Sequence, residues 1–165
     1  MTWRYRPELD GLRTLAVYTI ILYHAESGWV PGGFVSLDLF FVLSGFLVLN
    51  VMMTEIDERG RLSLLGFYAR RVRRLLPAAV FAIVVISLVF LLAASLPERL
   101  PLVRDAQAAL LYVANWHFIA AANDYFATDP DKSPFLHFWS LSLEEQFYLG
   151  FPLLVALVVK LGWYR

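Results

Sequence analysis

Residues 70–96 read RRVRRLLPAAVFAIVVISLVFLLAASL, four arginines within five positions followed by twenty-two residues, Leu75 to Leu96, that carry no charge. A helix needs roughly 20 apolar residues to cross hydrocarbon, so this run is long enough to do it. The whole chain has the same character: 59% of its 165 residues are hydrophobic and its mean hydropathy is +0.61. Soluble domains stay near roughly 45–50% apolar. The expected fold class is therefore an all-α polytopic membrane protein, because a helix satisfies its own backbone hydrogen bonds where no water is at hand.

Working outward, Phe34 to Met53 gives a second run of twenty residues with Asp38 as its one charge. Weaker runs bring the expected total to about five transmembrane or re-entrant helices, at about 12–30, 34–53, 75–96, 106–122 and 146–163, Lys160 in the last snorkelling toward water. The whole of 1–165 reads as one membrane portion without repeats. By the positive-inside tendency Arg70, Arg71, Arg73 and Arg74 lie in the cytoplasm with Arg4 and Arg6. The N-terminus is then inside, MTWRYRPELDG is a retained signal anchor, and the turn at Pro31, Gly32 and Gly33 is outside. The expected location is the cell inner (cytoplasmic) membrane, multi-pass.

Strict alternation would put residues 123–143 inside, although their charges are Asp124, Asp129, Asp131 and only Lys132. A re-entrant 106–122, with Asn115, Trp116 and His117 within it, would reverse that, so the side of Glu144 stays open. Trp29 and Trp163, and Trp3 further out, suit the interface. Net charge is zero but the basic residues are not spread evenly, so partners are argued locally, and the absence of cysteine removes disulfides and thiolate metal sites. No metal and no nucleic-acid partner are expected.

Within the first run, LRTLAVYTIILYH, Arg13 and His24 stand eleven residues apart. Eleven helical steps return to within about 20° of the starting azimuth and rise about 16 Å, so both share a face at different depths. Ionisable groups in a span are costly and line wet interiors. The alternative is an arginine snorkelling at one end and a histidine in the opposite interface. His24 lies five residues before Trp29 and Asp38 five after Gly33, so a tight hairpin sets them at similar depth. A carboxylate beside an imidazole is the usual support of a general base acting on a hydroxyl; the other reading is an interfacial Asp38 in water.

Arg70, Arg71, Arg73 and Arg74 are topogenic first. Their i, i+3 and i, i+4 spacings also present several guanidiniums together, suited to a nucleotide-like donor or an anionic lipid headgroup. Pro77 fits the first turn of the span that follows. In LHFWSLSLEEQFY, residues 136–148, Ser142 and Glu145 match a capping box that would start the last helix. Glu144 stands beside them with His137 seven residues before it. Ser44 and Gly45 suit close helix packing.

Four blocks in order, YRPELDGLRTLAVYTIILYH, PGGFVSLDLFFVLSGFL, FYARRVRRLLP and FLHFWSLSLEEQFY, resemble the integral-membrane acyltransferase family 3, the O-acyltransferases of bacterial surface polysaccharides. The resemblance covers almost the whole chain. It implies transfer of an acyl group, commonly acetyl, from cytoplasmic acyl-coenzyme A to a hydroxyl of a cell-envelope glycan or glycolipid. His24 would be the catalytic base or acyl relay, with Asp38 as its orienter by inference from depth. Arg13, Arg70, Arg71, Arg73 and Arg74 would hold the coenzyme A phosphates, and Glu144 would support the active site or acceptor. Such enzymes usually have about ten spans, so the chain resembles a first half, with membrane lipids and the remaining spans or another membrane subunit as partners. The competing expectation is a non-enzymatic membrane subunit that scaffolds a larger complex.

Overall fold

A computed structural model describes residues 6–25, 30–93, 95–122 and 133–162, apart from the side chains of 96–98. The described residues are helical, in two compact bodies, Met1–Leu62 and Ser63–Arg165.

The first body is a hairpin of α1 (Pro7–Ala25) and α2 (Val35–Arg59). Its turn is closed by the Gly33 N–H donating to the Val30 carbonyl at 2.9 Å. Gly33 is buried against α1, and a Cβ there would stand 2.7 Å from Cβ of Tyr23 and 3.1 Å from the Thr19 carbonyl oxygen. Only glycine lets the turn approach this closely. Ala16 from α1 and Leu43, Ser44 and Val48 from α2 are buried, in keeping with close packing at Ser44. The left-handed Gly60, φ 68°, ends α2 by donating its N–H to the Ile56 carbonyl.

The second body holds α3 (Leu64–Ala93), α4 (Leu96–Leu110), α5 (Ala114–Ala122) and α6 (Phe138–Lys160). Its core gathers Ile83 from α3, Leu102 and Ala109 from α4, Ala114 and Phe118 from α5, and Phe135 from the segment before α6, with Phe138 of α6 packed against them. The outer face of α3 leaves Phe81, Leu88 and Leu92 more than half exposed, a surface suited to hydrocarbon.

Among the described residues three helices, α2, α3 and α6, are long and apolar enough to cross a membrane. Six helices lie among the described residues, where five spans are expected. Helix α1 carries Glu8, Asp10 and Arg13, and the expected span 12–30 runs on from it through residues 26–29, which lie outside the described residues. The expected span 106–122 is not one helix. It breaks where Tyr112 turns left-handed, φ 54°, and the Val113 N–H folds back onto the Ala108 carbonyl.

Helix α3 begins at Leu64, so the arginine cluster is helical and Pro77 lies inside the helix rather than in its first turn. Helix α6 begins at Phe138, which places Ser142 and Glu145 in its interior and removes the capping box. The Ser142 hydroxyl instead accepts from the Ala114 N–H at 3.2 Å, joining α6 to the start of α5. The segment before α6 is organised by Ser133, whose Oγ accepts from the Phe135 N–H. Trp3, Trp29 and Trp163, Arg4, and the charges Asp124, Asp129, Asp131 and Lys132 lie outside the described residues.

Candidate active site

In the first body, successive turns of α1 put Asp10, Arg13, Thr14, Val17, Tyr18 and Ile21 along one groove, closed on the far side by Phe40 of α2. The groove is open and has a volume of about 520 Å³. It grades from polar to apolar along α1. The Arg13 guanidinium lies over the Phe40 ring, 5.1 Å from its centroid, a contact that helps hold the cation in place.

His24 stands one turn beyond Ile21. Its Nδ1 is 2.8 Å from the Ile20 carbonyl oxygen. A carbonyl only accepts, so Nδ1 carries the hydrogen and, in the neutral ring, Nε2 carries the lone pair. Tyr23 meets the imidazole edge to face at 5.4 Å. This is the tautomer a general base needs, and it is set by the helix backbone. Asp38 is exposed on α2, and no hydrogen bond or ion pair joins it to His24 among the described residues.

The second body carries the other expected residues. Arg70, Arg73 and Arg74 are exposed on α3, and Arg73 donates through Nε to the Ala69 carbonyl at 3.1 Å. Arg71 turns the other way. Its guanidinium lies flat on the Tyr148 ring, Cζ 3.3 Å from the centroid, with the Phe67 ring at 5.8 Å. Nη2 faces Glu145 Oε1 at 3.8 Å. Glu144, on the next position of α6, accepts the Tyr148 hydroxyl. Glu144 is therefore brought to Arg71 through one shared tyrosine, while the four arginines do not act as one patch.

Two polar clusters were invisible to motif reading. Gln146 donates through Nε2 to the Tyr112 carbonyl at 2.8 Å and to Asn115 Oδ1 at 2.9 Å. Its Oε1 accepts from Asn115 Nδ2 and Trp116 Nε1, each at 3.2 Å. The amide thus clamps the left-handed break onto α6. Tyr112 itself lies outside the three long apolar helices; burial pushes its phenol pKa up, and the Glu145 charge adds to this, so the hydroxyl stays protonated at neutral pH. Separately, Asp105 takes the Ser133 hydroxyl on Oδ2 at 2.6 Å and His117 Nε2 on Oδ1 at 2.7 Å. Sequence offered one signal for these, polar residues gathered in an otherwise apolar 106–122.

Comparison with known proteins joins this geometry to a family. Residues 6–165 match the model described as Acyl_transf_3, Acyltransferase domain. The O-acetyltransferase OatA of Staphylococcus aureus strain NCTC 8325 is 44% identical over 159 residues, which is 94% of this chain and 26% of that protein. OatA of strain MRSA252 matches to the same extent. The chain thus spans about a quarter of the length of these curated relatives. No solved structure matches. With nearly every residue inside the family model, including the stretches that carry Arg13, His24, the arginine cluster and Glu144, the chain belongs to the acyltransferase 3 family.

Proposed function

We propose that the chain is part of a membrane O-acyltransferase that moves an acyl group, acetyl by analogy with the relatives' name, from cytoplasmic acyl-coenzyme A to a hydroxyl of a cell-envelope glycan or glycolipid. The observation that carries this reading is His24, with its Nδ1 committed to the Ile20 carbonyl and its lone pair on Nε2, on the same helix as the groove lined from Asp10 to Ile21 and one turn beyond that groove. Nε2 takes the proton of the attacking hydroxyl as its oxygen bonds to the thioester carbonyl. Collapse of the tetrahedral intermediate forms the ester, breaks the carbon–sulfur bond and releases coenzyme A, whose thiolate recovers the proton from the imidazolium.

Arg13 at the polar end of the groove is one candidate for the donor's phosphates, and Arg70, Arg73 and Arg74, exposed on α3 of the second body, are separate candidates for the same role. Asp38, on the other helix of the same hairpin, is the proposed orienter of His24, and Glu144 acts through Tyr148. In this reading the N-terminus is cytoplasmic, by the arginine distribution.

The test is His24→Ala in the full-length protein, with envelope glycans assayed by mass spectrometry. Acyl-ester content should fall by about 10²-fold or more, the usual worth of a general base, while membrane insertion is unchanged. Ester content equal to the unaltered protein refutes the assignment and favours a scaffolding subunit.

A further inference from the structure

The second body holds a histidine that acyl transfer by His24 leaves unused. His117 Nε2 on α5 lies 2.7 Å from Oδ1 of Asp105 on α4, and Oδ2 of the same carboxylate takes the Ser133 hydroxyl at 2.6 Å. One carboxylate thus ties together α4, α5 and the segment before α6. An ionised carboxylate only accepts, so Nε2 carries the hydrogen and, in the neutral ring, Nδ1 carries the lone pair. The Phe118 ring, part of the core, meets the imidazole edge to face at 5.2 Å and steadies it.

The unused edge of this ring faces outward. The His117 side chain is 30% exposed against 14% for Asp105. Nδ1 has no hydrogen-bond partner among the described residues and reaches solvent. A tie between α4 and α5 is complete with Nε2 alone and makes no use of this lone pair.

Packing sets the depth of the pair. Leu102, three residues before Asp105, and Phe118, next to His117, share a core with Ile83 of α3. Ile83 stands nine residues beyond Arg74. Nine helical steps rise about 14 Å, about half of a hydrocarbon core of roughly 30 Å. With the arginines cytoplasmic, His117 lies toward the opposite face, where a cell-envelope acceptor would arrive.

The chemistry selects the ligand. Both Asp105 oxygens are occupied, and the single lone pair that remains is too few for a metal ion. An anion would be repelled by the carboxylate behind the ring. A neutral hydrogen donor fits, and hydroxyls are the donors a glycan carries in number. We propose that Asp105 and His117 form a hydroxyl-binding site for the glycan acceptor. Nδ1 accepts the hydrogen of a hydroxyl other than the one esterified, and Ser133 holds the carboxylate that fixes the ring. The inference rests on the protein being a glycan O-acyltransferase.

The experiment uses the full-length protein in lipid nanodiscs, with acetyl-coenzyme A as donor and envelope glycan fragments from cells lacking the gene as acceptor. His117→Gln keeps an N–H in the place of Nε2 for Asp105 and has no counterpart of Nδ1. Acceptor KM should rise by roughly 3- to 10-fold, the worth of one hydrogen bond, with kcat and the acetyl-coenzyme A KM within about 2-fold. His117→Asn does the opposite, offering Oδ1 near the place of Nδ1 and dropping the tie to Asp105. It should lower the unfolding midpoint and raise acceptor KM less than His117→Gln does. An unmoved acceptor KM in His117→Gln, or a KM that follows the midpoint in both variants, overturns the proposal. Fragments stripped of N-acyl groups should show the same rise; a rise that vanishes there moves the contact to an amide N–H and overturns the hydroxyl assignment. If the unaltered protein transfers no acetyl group to these fragments, the acyltransferase assignment itself fails, and the proposal with it.

Discussion

The two bodies solve opposite problems. In Met1–Leu62 the polar side chains bond mainly to their own helix: Thr14 to Asp10, Thr19 to Leu15, His24 to Ile20 and Asn50 to Phe46, each one turn back. In Ser63–Arg165 they bond across elements, as Gln146 does to Tyr112, Asn115 and Trp116, Ser142 to Ala114, and Tyr68 to the Leu149 carbonyl at 2.7 Å. The first arrangement keeps reactive groups ready without fixing the fold. The second fixes the fold. Substitutions in the first body should therefore change chemistry more than stability, and those in the second the reverse.

The strongest way to break that contrast is Phe135→Ala. The ring is fully buried in the second body's core, so its loss should cost about 3–5 kcal/mol, read as a lowered unfolding midpoint in detergent. Gln146→Leu comes next: it strips partners from the Tyr112 carbonyl, Asn115 and Trp116, with an expected cost of about 1–3 kcal/mol per buried group left unpaired. If either variant unfolds like the unaltered protein, the second body is not the rigid one.

Gly33→Ala tests the one tightly built point of the first body. A Cβ 2.7 Å from that of Tyr23 must push the turn away from α1, at about 1–3 kcal/mol by overpacking, and it should widen the hairpin as seen by spin-label distances. Tyr112→Gly should act in the opposite sense, stabilising by about 1 kcal/mol because glycine adopts the left-handed turn freely. The smallest effect is expected from Asp38→Asn. Since the Ile20 carbonyl already fixes the His24 tautomer, transfer should fall far less than in His24→Ala, by about 10-fold at most. A larger fall would show that Asp38 approaches the imidazole during the reaction.

The same contrast explains what the sequence disclosed. The placement of Arg13 and His24 on one helix and the PGG turn after it were legible because helical periodicity and glycine conformation are local properties, and the first body is built from them. The apolar runs announced α2, α3 and α6 for the same reason. The break at Tyr112 was not legible, since a tyrosine in the left-handed region is held there by Gln146, thirty-four positions away. Ser142 was misread in the same way: SLSLEE satisfies a capping pattern, yet its hydroxyl answers the unpaired N–H of another helix. Nor could spacing divide the arginine cluster, because what turns Arg71 from its neighbours is the Tyr148 ring on α6.

The bond from His24 to Ile20 has one more consequence. Because its partner is four residues back on the same helix, the protonation pattern of the imidazole is settled as soon as α1 coils, before any neighbour packs against it. Chemical readiness is then inherited from secondary structure alone. The walls around α1 can then change without disturbing the hydrogen on Nδ1.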